Sequence, residues 1–187
     1  MRIGRYLDFG LLLCFVAMTG AMVYVALQLR GSRMPPAPRP ALARGTAVPD
    51  LDAQGIGGTP AHLSFKGDSR PTVLYVFSLA CVWCKRNLVN LKSLMAVDRG
   101  RFRWVALSTL NTGVEDYLTS NRLRFDKVLV NASAASMAAY HIGATPETFV
   151  VGTDQKLLAD WRGAWASDPV RGEGQKFFAL TLPAWRE

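Results

Sequence analysis

Cys81-Val82-Trp83-Cys84 contains the side chains whose type and spacing point most directly to covalent chemistry. The pair stands where a nearly continuous apolar run, Thr72 to Leu79, gives way to a segment with Leu88, Leu91, Leu94 and Met95 at helical spacing. A run of that kind suits a strand covered on both faces, so the first cysteine is expected at the N-terminus of the following helix. There its sulfur faces backbone N–H groups that have no partner inside the helix. Such donors and the helix dipole stabilise a thiolate, taking a pKa from about 8.5 into the range of roughly 3.5–7.5. Lys85 and Arg86 add positive charge just downstream. Cys84, one turn further in, is placed to attack a mixed disulfide and release whatever Cys81 has captured. The expected roles are Cys81 as nucleophile and Cys84 as resolving thiol. Val82 and Trp83 tune the pair, and Trp83 offers an apolar contact beside the sulfur. Chemistry of this kind needs no cofactor beyond the redox-active Cys81–Cys84 disulfide.

Other readings of the same residues stay open. A closed zinc site normally needs four ligands, and this part of the chain holds two cysteines and two histidines, His62 and His141, with no second pair at ligand spacing. Zinc is therefore disfavoured and no metal site is expected. A copper-binding metallochaperone could use Cys81, Cys84 and His141. A thiol peroxidase would require Cys81 to form a sulfenic acid rapidly with peroxide. Two buried cysteines at this spacing by accident are the plainest alternative.

The elements that must position the pair can be read in order. Val48 to Ala53 and Ala61 to Phe65 have short strand signals, separated by Gly55-Ile56-Gly57-Gly58. After the strand Thr72–Leu79, one helix is expected over Cys81 to Asp98. A second buried strand covers Phe102 to Thr109, and a helix opens at Asn111 or Thr112 with Glu115 and Asp116 in its first turn. Lys127 to Val130 is a short strand and Ser133 to Tyr140 a small helix. Thr148–Gly152 and Lys156–Trp161 form a hairpin, and a helix weakened by Gly172 and Gly174 follows Pro169. Alternating strands and helices closed by a hairpin imply an α/β domain with a mixed central sheet flanked by helices on both faces.

Hydrophobic residues make up 50% of the 187-residue chain, and they are unevenly spread. Phe9 to Leu29 carries no charge. At about 20 residues such a run spans a bilayer core of about 30 Å. A cleaved signal peptide would have a shorter apolar core and a small-x-small site, which Leu29-Arg30-Gly31-Ser32-Arg33 does not offer. The expectation is an N-terminal membrane anchor over residues 1–30, with Cys14 as a small apolar residue inside it. Residues 31–46 hold four prolines and several arginines and read as a semi-rigid linker. Residues 47–187 form the folded domain. Arginines flank both ends of the apolar run, so charge alone does not orient it. The formal net charge of +8 is dispersed, with no run or motif suited to tracking a phosphate backbone. No nucleic-acid partner is expected.

A second feature, Gly143-Ala144-Thr145-Pro146-Glu147-Thr148-Phe149, places a proline at the entrance of an apolar strand. With Val48-Pro49-Asp50-Leu51, Cys81-x-x-Cys84 and Gly163, it makes Val48 to Trp165 resemble the thioredoxin superfamily. The resemblance is to membrane-anchored, extracytoplasmic proteins of the ResA/TlpA and cytochrome c maturation types. It implies a thioredoxin-like fold and a thiol:disulfide oxidoreductase acting on protein cysteines, as a reductant supplied by an upstream membrane electron donor. The domain would face the periplasm or another extracytoplasmic side. It further implies a cis Thr145–Pro146 bond beside Cys81, with the Thr145 backbone pairing to an extended substrate chain. Thr145 and Pro146 thus join Val82 and Trp83 as expected substrate-binding residues. Departures are also visible. Ala80 replaces a frequent tryptophan, and Val82-Trp83 replaces a dipeptide usually ending in proline. Asn87 and Val89 stand where an acid and a proline are frequent, and Tyr75 where cytoplasmic thioredoxins bury an aspartate. Glu147 is the nearest acid the motif offers, with a solvent-facing side chain as its alternative.

Overall fold

A computed structural model describes residues 3–31 and 40–183. The elements are, in chain order, α1 (Ile3–Gly31), β1 (Leu51–Gly55), β2 (Pro60–Leu63), β3 (Thr72–Phe77), α2 (Val82–Arg86), α3 (Leu88–Val97), β4 (Arg103–Ser108), α4 (Val114–Ser120), β5 (Lys127–Val130), α5 (Ala134–Ala139), β6 (Glu147–Val151), β7 (Leu157–Arg162) and α6 (Asp168–Phe178). The chain divides into two compact units, Met1–Pro38 and Arg39–Glu187.

The first unit is the helix α1, whose described side chains, from Leu12 to Gln28, are all exposed. Leu12, Phe15, Met18, Met22, Tyr24 and Leu27 each expose 60% or more of their surface. Among the described residues no helix is long and apolar enough to cross a membrane. The described side chains stop short of the full Phe9–Leu29 run.

In the second unit all strands join one sheet in the order β2-β1-β5-β4-β3-β6-β7. β3, β4 and β5 are parallel, and β1, β6 and β7 extend the sheet by antiparallel pairing. Every residue of β3 is buried, and alternation splits them between two cores. Val73, Tyr75 and Phe77 pack with Cys84, Leu91 and Leu94 of the α2–α3 segment, Leu118 of α4 and Phe178 of α6. Leu74 and Val76 pack on the other face with Tyr140, Ile142 and Phe149. The helix capped by Cys81 therefore sits on a central strand that is covered on both sides.

Two departures from the sequence reading are local. The helix expected over Cys81–Asp98 is divided at Asn87 (φ −78°, ψ −7°) into α2 and α3, although Leu91 N–H still donates to Asn87 O at 3.0 Å. The buried side-chain oxygen of Asn87 accepts from Asn90 and from the Trp165 backbone N–H. α4 starts at Val114 rather than Asn111 or Thr112, because Gly113, at φ 75°, takes the left-handed turn into it. The helix expected from Pro169 is α6, which runs unbroken through Gly172 and Gly174; a Cβ at Gly174 would meet the Trp165 ring at 4.0 Å, an ordinary van der Waals contact.

Within the second unit, residues 40–46 lie against β7 and the turn before it. Gly45 N–H donates to Leu157 O at 2.7 Å, Leu157 N–H to Thr46 O at 2.9 Å, and Ala47 bridges to Lys156.

Candidate active site

Cys81 is the N-cap of α2, in extended backbone geometry (φ −81°, ψ 111°). Its Sγ accepts a hydrogen bond from the Cys84 backbone N–H at 3.0 Å. This is the donor arrangement expected from the sequence: one of the orphan N–H groups of the first turn points at sulfur. Cys81 and Cys84 form a disulfide with a Cα–Cα distance of 5.2 Å. Cys81 is half-buried whereas Cys84 is 1% exposed. An incoming group therefore meets Cys81 first, and Cys84 sits behind it in the core.

Val82 and Trp83 project outward, 59% and 50% exposed. The Arg86 guanidinium lies 5.1 Å from the centre of the Trp83 ring, a cation–π contact that steadies the indole at the surface. On the other side of the sulfur, Thr145 O is 3.2 Å from Cys81 Sγ. The Thr145–Pro146 peptide bond is cis, as the resemblance implies. The Cys81 sulfur thus has an N–H donor on its own helix and a carbonyl oxygen on the loop before β6. The donor favours a thiolate, and the carbonyl can accept a hydrogen bond from the S–H of a neutral thiol.

Glu147, the residue after Pro146, is not a surface acid. Its side chain is 2% exposed, with Oε1 2.8 Å from Arg162 Nε. Asp160 is equally buried and lies 3.7 Å from the same nitrogen. Burial pushes the Glu147 carboxyl up to about 8, the Asp160 charge adds to this, and Arg162 opposes it. Burial also raises Asp160, against the pull of Arg162, Leu42 N–H and His141. Sequence reading missed Asp160 and Arg162. Their only signal was alternation in β7: Ala159 and Trp161 face one core, which puts the two charged residues on the opposite face beside Glu147.

His141 is not gathered to the cysteines. Its Nδ1 is 2.9 Å from Pro40 O, and its chain neighbours Tyr140 and Ile142 belong to the core on the face opposite Cys84. The Cys81–Cys84–His141 copper site is therefore corrected. Among the described residues no group of three or more His, Cys, Asp or Glu is placed to hold a metal ion. His62 instead lies between Asp52 (2.7 Å) and Asp50 (3.3 Å). Their hydrogen bonds raise its pKa.

Around Cys84 the expected lack of carboxylates has a structural counterpart. Tyr75 and Asn87 are both buried, and burial raises the Tyr75 hydroxyl well beyond the usual phenol range. A neutral pair thus occupies this part of the core.

No family model matches the chain, and no curated protein matches its sequence. Solved structures do. A putative thiol:disulfide interchange protein DsbE from Chlorobium tepidum superposes with a TM-score of 0.60 at 19% identity, covering 74% of this chain and 98% of that one. StoA from Bacillus subtilis gives 0.53 at 20% identity, with 72% and 99% covered. The fold is thioredoxin-like. A peroxiredoxin-like protein from Aquifex aeolicus also superposes, at 0.56 with 12% identity and coverage of 75% and 90%. The fold is thus shared between different thiol chemistries, and function has to be argued from the site.

Proposed function

We propose that this protein is a thiol:disulfide oxidoreductase acting on protein cysteines. The observation that carries the reading is the placement of Cys81: a half-buried N-cap sulfur that accepts the Cys84 N–H, paired with a buried second cysteine and flanked by Thr145 O. In the reduced protein the Cys81 thiolate attacks one sulfur of a substrate disulfide. A Cys81–substrate bond forms as the substrate S–S bond breaks, and the departing thiolate takes a proton from water. Cys84, deprotonated, then attacks Cys81 Sγ; the intramolecular disulfide forms and the second substrate thiolate leaves. Two electrons have moved to the substrate, and a dithiol donor must return them. Val82, Trp83 and the Thr145–Pro146 loop frame the sulfur and form the proposed substrate contacts.

The finer reading is a membrane-anchored reductant. Its supports are the uncharged run Phe9–Leu29, the 29-residue helix α1 that contains it, and the apolar side chains which that helix exposes. The domain is assigned to the extracytoplasmic side, with a membrane protein as its electron donor; the resemblance to ResA/TlpA-type and cytochrome c maturation proteins supports both assignments and the reductant direction. Titration of the full-length protein against glutathione buffers, with free thiols trapped at each poise, tests the activity. A two-electron transition lost in Cys81→Ser is expected. A midpoint near that of thioredoxin, about −270 mV, fits a reductant, and one near about −120 mV makes it an oxidant. Failure of the pair to form a disulfide at any poise defeats the reading.

A further inference from the structure

Three hydrogen bonds converge on residues 40–42 from the far face of the sheet. Arg162 Nη2 donates to Pro40 O at 3.1 Å, and His141 Nδ1 lies 2.9 Å from the same oxygen. Leu42 N–H donates to Asp160 Oδ2 at 3.2 Å. Asp160 is 2% exposed, and it also lies 3.7 Å from Arg162 Nε. Residues 40–42 are thus held by a charged cluster that includes the buried Asp160 carboxylate.

The same cluster holds the loop that touches the nucleophile. Arg162 Nε contacts Glu147 Oε1 at 2.8 Å, and Gly163 N–H donates to Pro146 O at 2.8 Å. Residues 162 and 163 thus grip residues 147 and 146, one through side chains and one through the backbone. Gly163 adopts φ 85°, a conformation that L side chains rarely adopt. The next residue back, Thr145, places its carbonyl oxygen 3.2 Å from Cys81 Sγ. A continuous set of contacts runs from Pro40 through Arg162, Glu147 and Pro146 to Thr145 and the sulfur.

We propose that Arg162 is a positioning residue that couples the strap formed by residues 40–42 to the Thr145–Pro146 loop, so that exchange at Cys81 depends on the strap being seated. The effect on exchange rests on the function proposed above; the mechanical coupling does not. Arg162 carries charge into a site with two carboxyl groups, so truncating it leaves Glu147 and Asp160 with His141 alone among the basic side chains that face them. The strap loses one of its two Pro40 contacts, keeping that of His141, as the loop loses its side-chain anchor.

The experiment is amide hydrogen exchange of the full-length protein, read over residues 41–46 and 143–147, beside the rate of thiol release from a disulfide-bonded peptide. Arg162→Gln is expected to speed amide exchange in both segments by about tenfold or more, as loss of a charged hydrogen bond implies, and to slow peptide reduction. Arg162→Lys should restore both in large part. The double variant Pro40→Gly/Leu42→Gly loosens the strap without altering any charged residue, and it should speed exchange at 143–147 as well. It remains informative if Arg162→Gln does not fold. A second readout separates positioning from bulk stability. Glu147 is faced by Asp160 and Arg162, and Asp160 in turn by His141. Loss of Arg162 should move the Glu147 inflection in the pH–rate profile upward, which a general loss of stability does not do. Loosening of 41–46 with 143–147 and the peptide rate unchanged overturns the proposal. A coupled change in amide exchange with no dithiol chemistry at any poise overturns the proposed function instead.

Discussion

The side-chain oxygen of Asn87 accepts a hydrogen bond from the backbone N–H of Trp165 at 3.1 Å. Asn90 Nδ2 donates to the same oxygen and also to Trp165 O. These contacts tie the break between α2 and α3 to the chain leaving β7. All three residues are essentially buried. Asn87→Ala leaves the Trp165 N–H without its acceptor inside the core, and a buried unsatisfied donor costs about 1–3 kcal/mol. Urea denaturation should show a loss of that size with an unchanged slope. A loss below about 0.5 kcal/mol would mean that water or another acceptor replaces Asn87.

Glu147 sets a pH dependence of stability whose sign is fixed. Its carboxyl titrates at about 8 in the folded protein against an ordinary 4.5. Between those values the native state holds a proton that the unfolded state has lost. The stabilisation is complete below pH 4.5 and disappears as pH rises through about 8. Asp160, also raised, acts in the same direction, as does exposed His62. Glu147→Gln keeps the shape and removes the titration. Its denaturation midpoint should fall less between pH 5 and pH 8.5 than that of the wild type, while His62→Gln should leave the Glu147 share intact. Parallel curves for wild type and Glu147→Gln refute the assignment.

The contrast between Cys81 and Glu147 shows what the sequence could reveal. The Cys81 environment is local: an apolar strand, a cysteine, and helical spacing in the next 14 residues fix an N-cap sulfur from sequence alone. The order of strands and helices was legible for the same reason, since each element carries its own periodicity. Glu147 was ambiguous because its partners lie 13 and 15 positions away across a hairpin. Only the register of β6 with β7 places Arg162 opposite it. His141 misled for a related reason. Ligand chemistry made it a plausible companion to two thiols, but the sheet lies between them. Sequence separation says nothing about which face a residue occupies unless the whole alternating pattern is counted through.

Under the proposed function, the exposure difference between the two cysteines predicts that Cys81 attacks first and Cys84 second. With Cys84→Ser, the nucleophile remains and the resolving thiol is gone, so mixed disulfides with protein substrates should accumulate at Cys81. With Cys81→Ser, Cys84 at 1% exposure should trap almost nothing. Non-reducing electrophoresis after alkylation reads both outcomes. Equal trapping by the two variants would mean that Cys84 reaches the surface, and the assigned order would fail.

Trp83 provides the last test, because its 50% exposure beside the disulfide gives it no evident core role. An aromatic contact of this kind contributes about 0.5–1.5 kcal/mol beyond area burial, or about two- to tenfold in a rate. Trp83→Ala should therefore lower kcat/KM for a protein disulfide by that factor while leaving the rate with a small disulfide nearly unchanged. Arg86 rests over the indole ring, so Arg86→Ala should produce a weaker form of the same loss by freeing the ring. Trp83→Phe, which retains an apolar face, should recover most of the rate. An equal fall with protein and small disulfides would place the effect of Trp83 on the sulfur itself, and the substrate-contact role would have to be given up.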